Sequence, residues 1–186
     1  MQLIACCVFT ENEFGFHNFF FFFSTGLFEW LAWYQDAMPD FMTDSELAQA
    51  GYNIQLSYKP YIGEDELRDT QAQGMVEGCE AYYTRNFFVT QCVLASTEDI
   101  GGDVLFVGHA STLDACAQQL IGNEPRPMQD MMNVVRKVSY CGAAMLQEEE
   151  IPDQTGKRPW KLKEPPFPPL THCSNARFDV KSLMVE

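Results

Sequence analysis

Positive charge is what this sequence has least of. Its 186 residues carry 12 Lys and Arg against 26 Asp and Glu, a formal net charge of −14. No basic patch interrupts that balance. Nucleic acid is therefore excluded as an expected partner, and anionic membrane surfaces are disfavoured on the same ground. Metal-ligand spacing is missing too. The seven cysteines form no CxxC pair and no zinc pattern, so neither metal nor cofactor is expected. An odd, irregular set reads as reduced thiols of a cytoplasmic protein rather than a disulfide framework. A secretory signal is lacking: residues 1–9 are apolar but short, have no basic n-region, and are followed by Glu11 and Glu13. No apolar run is long and uninterrupted enough to span a membrane. There is no internal repeat and no stretch of disordered composition.

What is present suffices for one domain with a real core. Its centre is the stretch 104–114, VLFVGHASTLD. A β-branched and aromatic run, bounded by Gly101-Gly102 and Gly108, reads as a strand. A helix follows, with Ser111 placed as N-cap and Asp114 three residues on, a capping-box pattern. His109 thus stands where a strand ends and a helix begins, the place where open α/β sheets bind ligands. The free amides at Ala110 and Ser111 suit an anion such as phosphate. An imidazole there can take or give a proton near neutral pH. The competing reading is a histidine that only closes a turn.

The rest is taken in order. Phe19 to Phe23 are five phenylalanines in succession, fitting neither a helical nor a strand period. They read as a fortuitous strand, a membrane-seeking tail, or sequence foreign to the domain. The last is taken, which divides the chain into an atypical segment 1–23 and a domain 24–186. Glu29 lies among Phe28, Trp30 and Trp33, where desolvation raises a carboxyl pKa and makes a proton donor. The alternative is a surface glutamate on a helix with an aromatic far face. Thr43 to Glu46 form a capping box for a helix that stops at Gly51. A charged helix starts at Glu64, with Gly74 and Gly78 weakening its middle. Val76, Cys79, Tyr83, Phe87, Thr90 and Leu94 recur at helical spacing as one buried face. Arg85 lies off that face, either solvated or a fork for phosphate. A helix from Ser111 ends at Gly122. Pro127 opens another, with Met128, Met131, Met132, Val135 and Val138 as its core stripe. Residues 141–146 and 160–162 read as strands. Residues 165–170, PPFPPL, are extended, either a strap packed on the domain or a PxxP ligand.

Several of these pieces resemble one family. They are Gly26-Leu27-Phe28-Glu29-Trp30, Ser45-Glu46-Leu47-Ala48, Tyr58-Lys59-Pro60, the His-Ala-Ser core of 104–116, Val135-Arg136-Lys137, and Pro165-Pro166 through Leu170-Thr171-His172. In this order they are similar to the phosphatase domain of the suppressors of T-cell receptor signalling, the ubiquitin-associated and SH3 domain-containing proteins. Insect ecdysteroid-phosphate phosphatases resemble the same group, all within the histidine phosphatase (phosphoglycerate mutase-like) superfamily. The resemblance implies a three-layer α/β/α fold and phosphomonoester hydrolysis. It implies Glu29 as proton donor to the leaving oxygen and His109 as the second histidine that steadies the phosphoryl group. Arg85, Ala110 and Ser111 are weaker phosphate-binding candidates. The ligand implied is a phosphotyrosine protein or a small phosphomonoester. A homodimer would fit the family habit.

The family's Arg-His-Gly, which supplies the nucleophilic histidine, occurs nowhere in these 186 residues. The upstream histidine, His17, sits in Phe16-His17-Asn18 without the arginine or the glycine. The expectation is a domain truncated at its N-terminus, lacking the first strand and helix. Residues 104–107 would then be an exposed edge that the phenylalanine run could cover. Such a chain is expected to be inactive as a phosphatase. The alternative is a non-catalytic binding or regulatory module, a pseudophosphatase or a proline-rich scaffold. A third reading, His17 as replacement nucleophile, requires it within a few ångströms of His109.

Overall fold

The computed structural model describes residues 5–11, 17–34, 38–72, 76–99, 101–152, 154 and 158–165, the first stretch and residues 17–23 as backbone. The chain mixes helix and sheet. It divides into two compact units, Met1–Gly78 with Phe88–His109, and Cys79–Phe87 with Ala110–Glu186.

The first unit holds a three-stranded sheet of β1 (Ala5–Glu11), β2 (His17–Phe23) and β3 (Asp103–Val107). The strand order is β2-β1-β3 and both pairings are antiparallel. The phenylalanine run is therefore a strand. Alternation did not predict it, but aromatic residues favour the extended backbone with or without a period of two. It is β1, not the phenylalanine run, that covers an edge of residues 104–107. With β1 in the middle, β2 and β3 run parallel and leave the sheet at one end, where Phe23, Ala5 and Val107 are aligned.

Two short 3-10 turns, Thr25–Leu27 and Leu31–Trp33, carry the chain away from β2. Gly26 is the close approach in this stretch. A Cβ there would lie 2.6 Å from Val89 Cγ2 and 3.1 Å from Ile62 Cβ. Leu27, Phe28, Leu47, Leu67 and Val89 are buried. Helix α1 (Asp44–Gln49) has the expected capping box: Thr43 Oγ1 accepts from the Glu46 amide, and the Glu46 carboxylate accepts from the Thr43 amide. It ends as expected at Gly51, whose φ of +90° lets Gly51 N–H reach Ala48 O and Tyr52 N–H reach Leu47 O.

Helix α2 (Glu64–Ala72) stops before Gly78, which is not a weak point inside it but the N-cap of α3 (Cys79–Thr97). The first nine residues of α3 belong to the second unit and the remainder to the first. Its buried face is Tyr82, Tyr83, Asn86, Val89, Thr90 and Val93, rotated from the expected stripe. Val76 lies outside the helix and is 76% exposed. Apolarity misleads here because polar members of the face find partners. Asn86, for instance, donates its amide to Tyr82 O at 2.8 Å.

The second unit continues with α4 (Ala110–Leu120), α5 (Met128–Val135) and an antiparallel hairpin of β4 (Met145–Glu148) and β5 (Trp160–Lys163). Ala117 and Val134 pack with Leu113, Ala144 and Leu146. On α5 it is Met131 and Val134 that are buried, whereas Met128 is 56% exposed. Helix α4 ends as expected at Gly122, φ +91°, with Gly122 N–H on Gln119 O and Asn123 N–H on Gln118 O. Strand β4 begins later than residue 141, because residues 139–142 form a turn closed by Gly142 N–H on Ser139 O. The proline-rich strap from Pro166 onward and His172 lie outside the described residues.

Candidate functional site

The sheet explains which sequence candidates meet. Glu29 follows Phe23 of β2 by six residues, and His109 follows Val107 of β3 by two. Both strands leave the sheet at the same end, so both side chains are delivered there. His109 Nδ1 lies 3.3 Å from Glu29 Oε1, with the two side chains 23% and 18% exposed. Tyr34 donates its hydroxyl to the other oxygen, Glu29 Oε2, at 2.8 Å. The buried Phe28 ring stands edge-on to the His109 imidazole at 6.3 Å between centroids. It also touches Tyr34 and Phe41 at 5.1 and 5.0 Å. The His109–Glu29 pair thus has an aromatic wall behind it and a solvent-facing side.

Glu29 is not on a helix but in the bend between the two 3-10 turns. Its segment is pinned by Glu77. Trp30 donates its indole N–H to Glu77 O at 2.7 Å, and Leu31 N–H donates to Glu77 Oε2 at 2.9 Å. Gln71 holds Tyr34 from the other side: its amide donates to Tyr34 O and its carbonyl oxygen accepts from Met38 N–H.

The expected upward shift of Glu29 is corrected by these contacts. Burial does raise its pKa, but the hydrogen bonds from His109 and Tyr34 and the charge of His109 outweigh burial, and the net shift is downward. In the unliganded protein these contacts favour Glu29 as a carboxylate facing the His109 imidazole.

The weaker candidates occupy the second unit. Helix α4 opens at Ala110, so Ser111 is inside its first turn and forms no capping box with Asp114. Ser111 is fully buried, and its hydroxyl accepts from Tyr82 at 2.9 Å. Burial drives the Tyr82 hydroxyl well above its ordinary range, so it stays a donor. Arg85 is buried rather than solvated, its guanidinium 5.2 Å over the Tyr82 ring. Asp114 instead receives Arg126 Nε at 3.3 Å and the Tyr83 hydroxyl. Arg126 also donates to Gln118 Oε1 at 2.9 Å.

The register also places His17. It pairs with Glu11, six residues along β1 from Ala5, and so lies about 20 Å from the sheet end that delivers His109. The His17 reading fails on that separation. Tyr34 and Glu77 were missed by sequence reading. Neither stands at a motif spacing from Glu29, and only the folded backbone brings them in. Among the described residues no group of His, Cys, Asp and Glu is arranged to hold a metal ion. Cys79, Cys92, Cys116 and Cys141 are free thiols. No described helix is long and apolar enough to cross a membrane.

No protein-family model matches the chain. Individual proteins do. The chain is 37% identical over 158 residues to the ecdysteroid-phosphate phosphatase of Drosophila melanogaster, covering 85% of this chain and 19% of that protein. It is 33% identical over 162 residues to the human ubiquitin-associated and SH3 domain-containing protein B, covering 87% of this chain and 23% of that protein. Its fold matches the crystal structure of the Bombyx mori ecdysone phosphate phosphatase in complex with tungstate. That match has a TM-score of 0.63 and 29% identity, covering 88% of this chain and 58% of that one. The chain thus spans about a fifth of the length of the curated relatives it matches.

Proposed function

The chain is a homologue of the ecdysteroid-phosphate phosphatases and the ubiquitin-associated and SH3 domain-containing proteins, with a histidine phosphatase fold, and from that premise we propose that Glu29 and His109 form the acid–base half of a phosphomonoester site. The observation that carries this is the 3.3 Å pairing of His109 Nδ1 with Glu29 Oε1. A protonated imidazole gives a phosphate oxygen a charge-assisted donor. An arriving dianion raises the proton affinity of the neighbouring carboxylate. Glu29 then takes a proton and is placed to hand it to the departing alkoxide or phenoxide. The relative that holds tungstate, a tetrahedral oxyanion of phosphate shape, supports this ligand class. The substrates in view are an aryl phosphate such as phosphotyrosine or a small steroid-type monoester.

Phosphoryl transfer to the enzyme also needs a nucleophile in line with the leaving oxygen. The 186 residues hold no Arg-His-Gly, and the sheet register keeps His17 remote. We therefore propose that this chain, as it stands, binds phosphomonoesters and does not turn them over. On this reading residues 24–186 are the family part of a three-layer domain, and residues 1–23 supply β1 and β2 in place of family strands.

The test uses the full chain. Calorimetric titration with tungstate is expected to show binding that weakens at least about tenfold in His109→Ala, while p-nitrophenyl phosphate is not hydrolysed. Absence of tungstate binding by the folded chain would overturn the site. Turnover abolished by His109→Ala would reveal a nucleophile elsewhere and overturn the inactivity.

A further inference from the structure

We propose that Tyr34 is a positioning residue that assigns separate tasks to the two oxygens of Glu29, reserving Oε1 for the proton exchanged with His109 and the ligand. This rests on the acid–base reading above and deepens it.

The geometry is specific. Oε2 accepts the Tyr34 hydroxyl at 2.8 Å, and Oε1 faces His109 Nδ1 at 3.3 Å. Both oxygens face a donor, but the donors differ: a phenol hydroxyl keeps its proton at neutral pH, whereas an imidazole can give its proton up, so a proton passing within the pair settles on Oε1. When it does, Tyr34 goes on donating to Oε2, now the carbonyl oxygen. No atom has to rotate for the proton to come and go. A glutamate without this brace could present either oxygen and would lose orientation with each transfer.

Tyr34 is itself held in place. Its ring packs on buried Phe28 at 5.1 Å, and its carbonyl accepts from Gln71, which also accepts from Met38 N–H at 3.2 Å. Among the described residues, His109 from the end of β3 and Tyr34 from the segment after the second 3-10 turn face Glu29. Both hydrogen bonds favour the charged carboxylate, in line with its downward shift.

Tyr34→Phe removes the hydroxyl and keeps the ring. Glu29 is followed by carbon-detected NMR of its carboxyl across an acid titration, in the parent and in Tyr34→Phe. The expected result is a midpoint displaced upward in Tyr34→Phe, with melting temperature close to the parent's. Tungstate affinity, which rises as Glu29 takes its proton, should begin to rise at a higher pH in the variant. Tyr34→Leu loses the ring contact as well and should lower the melting temperature. An unmoved Glu29 midpoint in folded Tyr34→Phe overturns the proposal even if tungstate binds. If the parent binds no tungstate while the midpoint still moves, the phosphomonoester site fails and the effect of Tyr34 on Glu29 stands.

Discussion

Glu29 shows how contacts reverse what burial alone would do. A carboxyl among Phe28, Trp30 and Trp33 ought to hold its proton, yet two donors and a cation win and keep it charged. The consequence for stability has a definite sign. The folded value lies below the unfolded value of 4.5. The contribution of the pair is therefore present above 4.5 and is lost as pH falls through the lower folded value. Urea midpoints of the parent and of Glu29→Gln should converge as pH drops below that point, and a gap that widens in acid would contradict this. Asp114 runs the other way. Burial raises its pKa more than Tyr83 and Arg126 lower it. Arg126→Ala would strand that carboxyl, which is fully buried, and should cost about 3–5 kcal/mol in urea unfolding. The double change Arg126→Met with Asp114→Leu should recover part of it. At this scale the sequence singled out Glu29 and His109, which the structure brings to 3.3 Å, because an aromatic-clad acid and a histidine after a strand are local signals. It placed Asp114 wrongly as a capping residue, because its true partner Arg126 is distant and carries no spacing signal.

Elements were legible where their ends carry chemistry and poorly legible where only apolarity speaks. Thr43, Gly51 and Gly122 marked helix boundaries that the structure keeps, since capping and positive φ depend on a few adjacent residues. The face of α3 was only partly read: Tyr83 and Thr90 were named, but Tyr82 and Asn86 are buried beside them, the Tyr82 hydroxyl on Ser111 and the Asn86 amide on Tyr82 O. Of the stripe expected on α5 Met131 is fully buried, Val134 from outside that stripe joins it, and Met128 is exposed, since a flexible methionine is tolerated on a surface as well as in a core. Gly26 offers the sharpest test at this scale. Gly26→Ala would drive a methyl into Val89 and Ile62, two stiff β-branched side chains, and should destabilise by about 1–3 kcal/mol. Thermal unfolding measures it, and an unchanged midpoint would mean that the 3-10 turn gives way easily. Because Glu29 is three residues on, the same variant should also weaken tungstate binding.

The sheet order is the property of the whole chain that no local pattern announced. Five phenylalanines in a row carry no alternation, so neither their strand nor its neighbour could be read from period. Their place in the fold comes from pairing, with β1 between two parallel neighbours. That arrangement can be trapped chemically. Cys6 stands directly across from Phe106 in the β1–β3 register. Opposed positions of antiparallel strands lie within disulfide reach. Mild oxidation of Phe106→Cys should give a bond to Cys6, identified by peptide mass mapping. A bond to Cys7 instead would mean a register shifted by one residue. One last consequence belongs to the outermost strand. β3 is at the margin of its sheet among the described strands, with Leu105 and Val107 nearly half exposed. Such a margin recruits further strands from neighbouring molecules, so concentrated preparations should gel or fibrillate from there, and Leu105→Lys should extend their shelf life.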